Sequence, residues 1–151
     1  MVKKYINKLY GILLVEWFCV WLLAVVAVVL GEMGVIPNGV VEAHSNEEFL
    51  FNSASILLTV IGIPVAVKLF ALNITRGLRR MNYEEALGAY HVWSAVRMAI
   101  LCVLAVFSIV VYYITLNTSG AFCALVILCA TLYCLPSKDK IGSFLSTVNN
   151  D

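Results

Sequence analysis

The chain has 151 residues, 62% of them hydrophobic and 13% charged, with ten Lys/Arg against nine Asp/Glu. Soluble domains run about 45–50% apolar and about 25% charged, so this composition excludes a soluble enzyme domain, a disordered tail and a basic nucleic-acid-binding module. A mean hydropathy of +0.96 agrees, and the net charge of +1 names no acidic partner.

A membrane-crossing helix needs about 20 mostly apolar residues. Four stretches qualify, at about 9–30, 49–72, 93–116 and 118–135. The remnants between them hold no second domain, so residues 1–151 read as one integral membrane domain: an all-α four-helix transmembrane bundle, antiparallel and up-down-up-down.

The first stretch is too long for the apolar core of a signal peptide and is interrupted by Glu16, so it reads as an uncleaved span. After it comes a loop, Gly31 to Glu48, with no Lys or Arg but with Glu32, Glu42, Glu47 and Glu48. Pro64 interrupts span 2 and should kink it. The following loop carries Arg76, Arg79 and Arg80. Asn82 with Glu85 forms a capping-box pattern, which extends helix 3 back to about Tyr83. Asn117-Thr118-Ser119-Gly120 is a tight turn into span 4, and Pro136 stops that span. The head has Lys3, Lys4 and Lys8, and the tail Lys138 and Lys140. The positive-inside rule then places both termini in the cytoplasm and both odd loops outside. Val2 to Tyr10 and Ile141 to Val148 read as short interfacial segments.

Helices pack in lipid through small and weakly polar residues. At 100° per residue, Asn52, Ser55, Thr59, Gly62 and Ala66 share one stripe of span 2. Glu84, Gly88, His91, Ala95, Ala99 and Cys102 share one in helix 3, and Gly120, Ala124, Thr131 and Cys134 one in span 4. In span 1 the inward stripe is Glu16, Cys19, Leu23 and Ala27, leaving Trp17, Phe18, Trp21 and Val25 toward lipid. Lys68 points away from its stripe and snorkels. Arg97 also points away, as an interface anchor with Trp93 one turn before it for a cation–π contact.

Glu16 lies on an inward stripe about two turns into span 1, where an unpaired carboxylate is costly. Depth favours Arg97 as its partner and helix-face geometry favours His91; the sequence leaves both open. The candidate polar site is therefore Glu16, Arg97 and His91, beside the packing stripe Asn52, Ser55 and Thr59. Cys19, Cys102, Cys123, Cys129 and Cys134 include no C-x-x-C pair and read as small apolar filler. Glu42, His44, Glu47 and Glu48 read as a solvated acidic loop rather than a metal site. The glycosylation patterns at Asn73 and Asn117 read as chance. No catalytic constellation, cofactor motif or nucleic-acid motif is found, so neither enzyme activity nor a cofactor is expected.

Two resemblances arise. Tyr10-Gly11-Ile12-Leu13-Leu14-Val15-Glu16 resembles the start of the small multidrug resistance transporters. In that family the span-1 glutamate exchanges protons against cationic drugs, a role that would map onto Glu16. This chain departs from the family in its greater length, larger outer loop and strong Lys/Arg bias, so the activity is not carried over. The whole layout, with its acidic start to helix 3 and its exit through Cys134-Leu135-Pro136-Ser137-Lys138, resembles uncharacterised small four-span bacterial inner-membrane proteins, which implies a location and no activity. The expected role is a non-enzymatic bundle subunit or scaffold that meets the lipid bilayer, associating with itself or with a membrane-protein partner. The rival is a small proton- or ion-coupled transporter or channel using Glu16.

Overall fold

Helix α3, Tyr83–Thr115, is the hub on which the other helices are assembled. The computed structural model describes residues 2–77 and 82–149. Arg79 and Arg80, two of the three loop arginines behind the orientation argument, lie outside the described residues. The described residues form five helices: α1 Val2–Glu32, α2 Asn46–Gly77, α3, α4 Thr118–Tyr133 and α5 Lys138–Asn149. Helices α1, α2 and α3 are each long and apolar enough to cross a membrane, and α4 and α5 together form a bent apolar pair.

Local chemistry sets the boundaries. Helix α1 ends in a Schellman turn: Gly34 has φ +73°, the Val35 N–H donates to Leu30 O at 3.0 Å, and the Gly34 N–H donates to Gly31 O at 3.0 Å. Helix α3 begins where the capping pattern requires. The Asn82 backbone N–H donates to Glu85 Oε2 at 3.2 Å, and the Ala86 N–H donates to Asn82 O at 2.9 Å. It ends at Leu116 in the left-handed region, with φ 50°. Asn117 then caps α4, its Oδ1 accepting from the Ser119 backbone N–H at 3.1 Å. Helix α2 runs through Pro64 without a break.

Around α3 pack α1, α2 and α4, while α5 folds back against α1 and α3. Half of the most apolar stretch of α3 is buried, against 22% for α1 and 17% for α2. One core cluster joins Val20, Ala66, Met98, Leu101, Leu104 and Ile127 from four helices. A second gathers Leu9, Leu13, Tyr90 and Ile141 at the end holding the start of α1 and the end of α2, with Phe70 and Phe144 packed on it. A third, Ala24, Ala27, Ile109, Tyr113 and Ala124, lies toward the opposite end.

Four sequence expectations change. The head is not a separate interfacial piece, because α1 is continuous from Val2. The tail segment is a helix bent by 60° from α4, and its Ile141 is fully buried; one apolar face packs on the bundle instead of merely lying at a surface. The inward face of α1 is Leu13, Val20, Ala24 and Ala27, with Cys19 and Leu23 exposed. Trp17 turns inward because its indole N–H finds an acceptor there, Thr131 O on α4 at 3.1 Å. On α3 the buried face runs through Tyr90, Ser94, Met98, Leu101, Ala105 and Ser108, whereas Glu84 and Ala99 are exposed. A hub helix is covered on several sides, so its small residues do not mark one seam.

Candidate functional site

Glu16 and His91 meet across the α1–α3 seam. Glu16 falls one turn after Leu13 and one before Val20, on the flank of the inward face of α1. His91 Nε2 stands 2.9 Å from Glu16 Oε1. The approach satisfies ion-pair distance but not hydrogen-bond direction, since His91 Nε2 has no hydrogen-bond partner and neither has Glu16 Oε2. Both side chains are partly exposed, His91 by 35% and Glu16 by 25%. His91 also forms part of the wall of a shallow depression with Tyr5, Lys8, Ile12 and Leu87. Of the two partners left open for Glu16, the fold supplies His91.

Arg97 stands elsewhere, and it does not point away from the bundle. Its guanidinium carbon lies 4.1 Å from the centre of the Phe70 ring on α2, and its Nη2 donates to Cys134 O, at the end of α4, at 3.5 Å. The cation–π partner is thus Phe70, not Trp93. Arg97 sits three residues after the buried Ser94 and one before the buried Met98, on the side of α3 that α2 and α4 cover. A stripe drawn from small residues alone placed it on the wrong side. Lys68 is exposed, on the outer surface of α2.

Ser55 and Thr59 are buried between α2 and α3. Ser55 Oγ lies 3.2 Å from Ser108 Oγ, and the Thr59 hydroxyl donates to Ser55 O at 2.7 Å. Asn52 Oδ1, one turn earlier, is buried without a hydrogen-bond partner. This polar stripe belongs to the α2–α3 seam, while Glu16 and His91 belong to the α1–α3 seam. The sequence-derived site is therefore three separate places: a carboxylate–imidazole pair, a cation under the end of α4, and a hydroxyl-lined helix contact.

Sequence reasoning missed the polar construction at the other end. Asn117 Nδ2 donates to Glu48 Oε1 at 2.6 Å, and the His44 backbone N–H donates to Glu48 Oε2 at 2.6 Å. The Glu48 N–H in turn donates to Ser45 Oγ at 3.1 Å. Ser45-Asn46-Glu47-Glu48 is a capping-box pattern, and that signal could have singled out Glu48. The bond from Asn117, and then that from His44, hold the Glu48 carboxyl below its ordinary range. Nearby, Tyr113 Oη lies 3.0 Å from Glu32 Oε1 and 3.2 Å from Val28 O, sharing one proton between two acceptors. Gly31 lets α1 approach that ring, since a Cβ there would fall 2.3 Å from it. The Gly39 and Val41 N–H groups donate to Tyr113 O and Ile114 O at 3.1 and 3.4 Å, satisfying carbonyls at the end of α3.

Among the described residues no three His, Cys, Asp or Glu side chains converge as metal ligands. No protein-family model, curated protein or solved structure matches the chain.

Proposed function

We propose that the chain is a multi-pass inner-membrane protein whose helices form an antiparallel four-span bundle, and that it acts as a non-enzymatic subunit or scaffold. The observation that carries this reading is the outer surface of α1 and α2. Val15, Phe18, Leu22 and Val25 on α1, with Leu50, Leu57, Val60 and Ile61 on α2, are all large apolar side chains open to the surroundings. Water would penalise so broad an apolar surface, whereas hydrocarbon accepts it at no cost.

Charge supports the orientation. Lys3, Lys4, Lys8, Arg76, Lys138 and Lys140 belong to one end, and Glu32, Glu42, Glu47 and Glu48 to the other, so the basic end is read as cytoplasmic. Helix α4, with 16 residues, is about 24 Å long against a hydrocarbon core of about 30 Å. It completes a fourth span only by carrying the α5 junction into the inner head-group layer. The interior contacts are hydroxyls, small residues and apolar side chains that hold helices together, which suits a scaffold.

Two measurements test the reading. In a cysteine-free background, Ala43→Cys should react with an impermeant maleimide in intact cells, and Ser146→Cys only after lysis; the opposite pattern overturns the topology. Reconstituted protein should show no proton or solute flux that depends on Glu16. Flux lost in Glu16→Gln would replace the scaffold with the proton- or ion-coupled transporter, for which the unpartnered Glu16 Oε2 is the available acceptor.

A further inference from the structure

A small cavity lies beneath the junction of α4 and α5, with a volume of about 170 Å³. Arg97, Lys140, Tyr90 and Ser94 supply its polar walls, and Phe70 and Pro136 contribute to its apolar ones. Its charge is one-sided. No carboxylate among the described residues pairs with Arg97 or Lys140; the ion pair found among them joins Glu16 to His91, on a different seam. Arg97 Nε is buried with no hydrogen-bond partner, and the contact of Nη2 with Cys134 O is long, at 3.5 Å. Lys140 is exposed on α5, with its ammonium 5.6 Å from the Tyr133 ring.

A guanidinium withdrawn from water is expensive unless an anion and hydrogen-bond acceptors replace the solvent. Stacking on Phe70 offsets part of that cost but supplies no acceptor. A compact oxyanion with several acceptor oxygens is the group that a planar guanidinium fork recognises best. The volume exceeds that of several waters at about 30 Å³ each, so a phosphate group fits. We propose that this cavity is a phosphate-binding site, with Arg97 as the inner clamp and Lys140 as the outer one, and that its ligand is the head-group phosphate of an anionic phospholipid. The lipid source rests on the membrane reading above, in which the basic end lies in the inner leaflet; the phosphate chemistry does not.

The test uses full-length protein, delipidated in a non-ionic detergent and followed by thermal unfolding and native mass spectrometry. Phosphatidylglycerol, phosphatidylcholine and inorganic phosphate are titrated separately at fixed ionic strength. Phosphatidylglycerol is expected to raise Tm and to remain bound as a discrete adduct, with phosphatidylcholine doing neither. Lys140→Gln, an exposed change that leaves the fold intact, should weaken phosphatidylglycerol binding roughly tenfold, the size of one lost charge-assisted hydrogen bond. Arg97→Gln should weaken it further, with circular dichroism checking that the helices persist.

Stabilisation by inorganic phosphate at least as strong as by phosphatidylglycerol, lost in both variants, assigns the site to free phosphate and keeps the chemistry. Equal response to both lipids, or wild-type phosphatidylglycerol binding in Lys140→Gln, overturns the proposal. The maleimide experiment judges membrane topology independently, so failure of one reading is distinguishable from failure of the other.

Discussion

The two ends of the helix assembly handle polar atoms in different ways. At the acidic end Glu48 and Tyr113 have protein partners, although Asn52 Oδ1, one turn after Glu48, and Trp21 Nε1 are buried without one. Glu48 takes Asn117 and the His44 backbone, Tyr113 takes Glu32 and Val28, and loop N–H groups close the carbonyls of α3. At the basic end, Glu16 Oε2, His91 Nε2 and Arg97 Nε are buried atoms without hydrogen-bond partners. The hydrogen bonds among Glu48, Asn117, Tyr113 and Glu32 tie loop and helix ends together and make the acidic end a structural cap. Unsatisfied polar atoms at the basic end carry a desolvation cost that a ligand or a proton can relieve.

The largest expected effect breaks the cap by steric means. A Cβ at Gly120 would meet the Tyr112 backbone nitrogen at 2.7 Å and its Cα at 2.9 Å. Backbone cannot step aside as a side chain can, so Gly120→Ala must push α4 off α3. A loss of about 2–3 kcal/mol in unfolding free energy is expected, measured by denaturant titration in mild detergent.

Next is Asn117→Ala, which removes the cap of α4 and should cost about 1 kcal/mol at neutral pH. It also removes the donor that holds the Glu48 carboxyl below its ordinary value of 4.5. A carboxyl lowered on folding adds stability above its unfolded value, and that stability is lost as pH falls through the folded one. The Tm difference between wild type and Asn117→Ala should accordingly be constant at neutral pH and narrow once pH drops below about 4.5. A gap that stays the same, or widens in acid, would remove the Glu48–Asn117 bond from the account.

Glu16→Gln, at the basic end, should have the smallest effect. Its partner is a partly exposed histidine met off the hydrogen-bond direction, so a change below about 1 kcal/mol is expected in the same titration. A loss as large as that of Gly120→Ala would abolish the contrast between the ends.

Much of the frame was legible in the residues. The capping pattern at Asn82 set the start of α3, and Asn117 with Gly120 set the turn before α4. Ser55, Thr59, Gly120, Ala124 and Thr131 could be placed on contact faces because small and hydroxyl-bearing residues are the ones that allow close approach. Trp17 and Arg97 could not be placed so. Each has an apolar body and a polar tip, and the tip follows whichever acceptor or ring the fold brings near: Thr131 O for one, Phe70 and Cys134 O for the other. The partner of Glu16 was undecidable for a related reason, since depth and helical phase named different residues.

Composition, apolar run length and turn residues determined by themselves that this chain is helical, that its first three helices are long and apolar enough to cross a membrane, and where Lys and Arg collect. These properties are local or additive along the chain. Tertiary structure alone decided that α3 is the hub, that α5 folds back to bury Ile141, and that Glu16, Arg97 and Ser55 occupy three seams instead of one site. The reason is physical: leucine and valine are equally at home against lipid or another helix, so hydropathy cannot choose a packing face, and only the meeting of specific polar tips across helices breaks the tie.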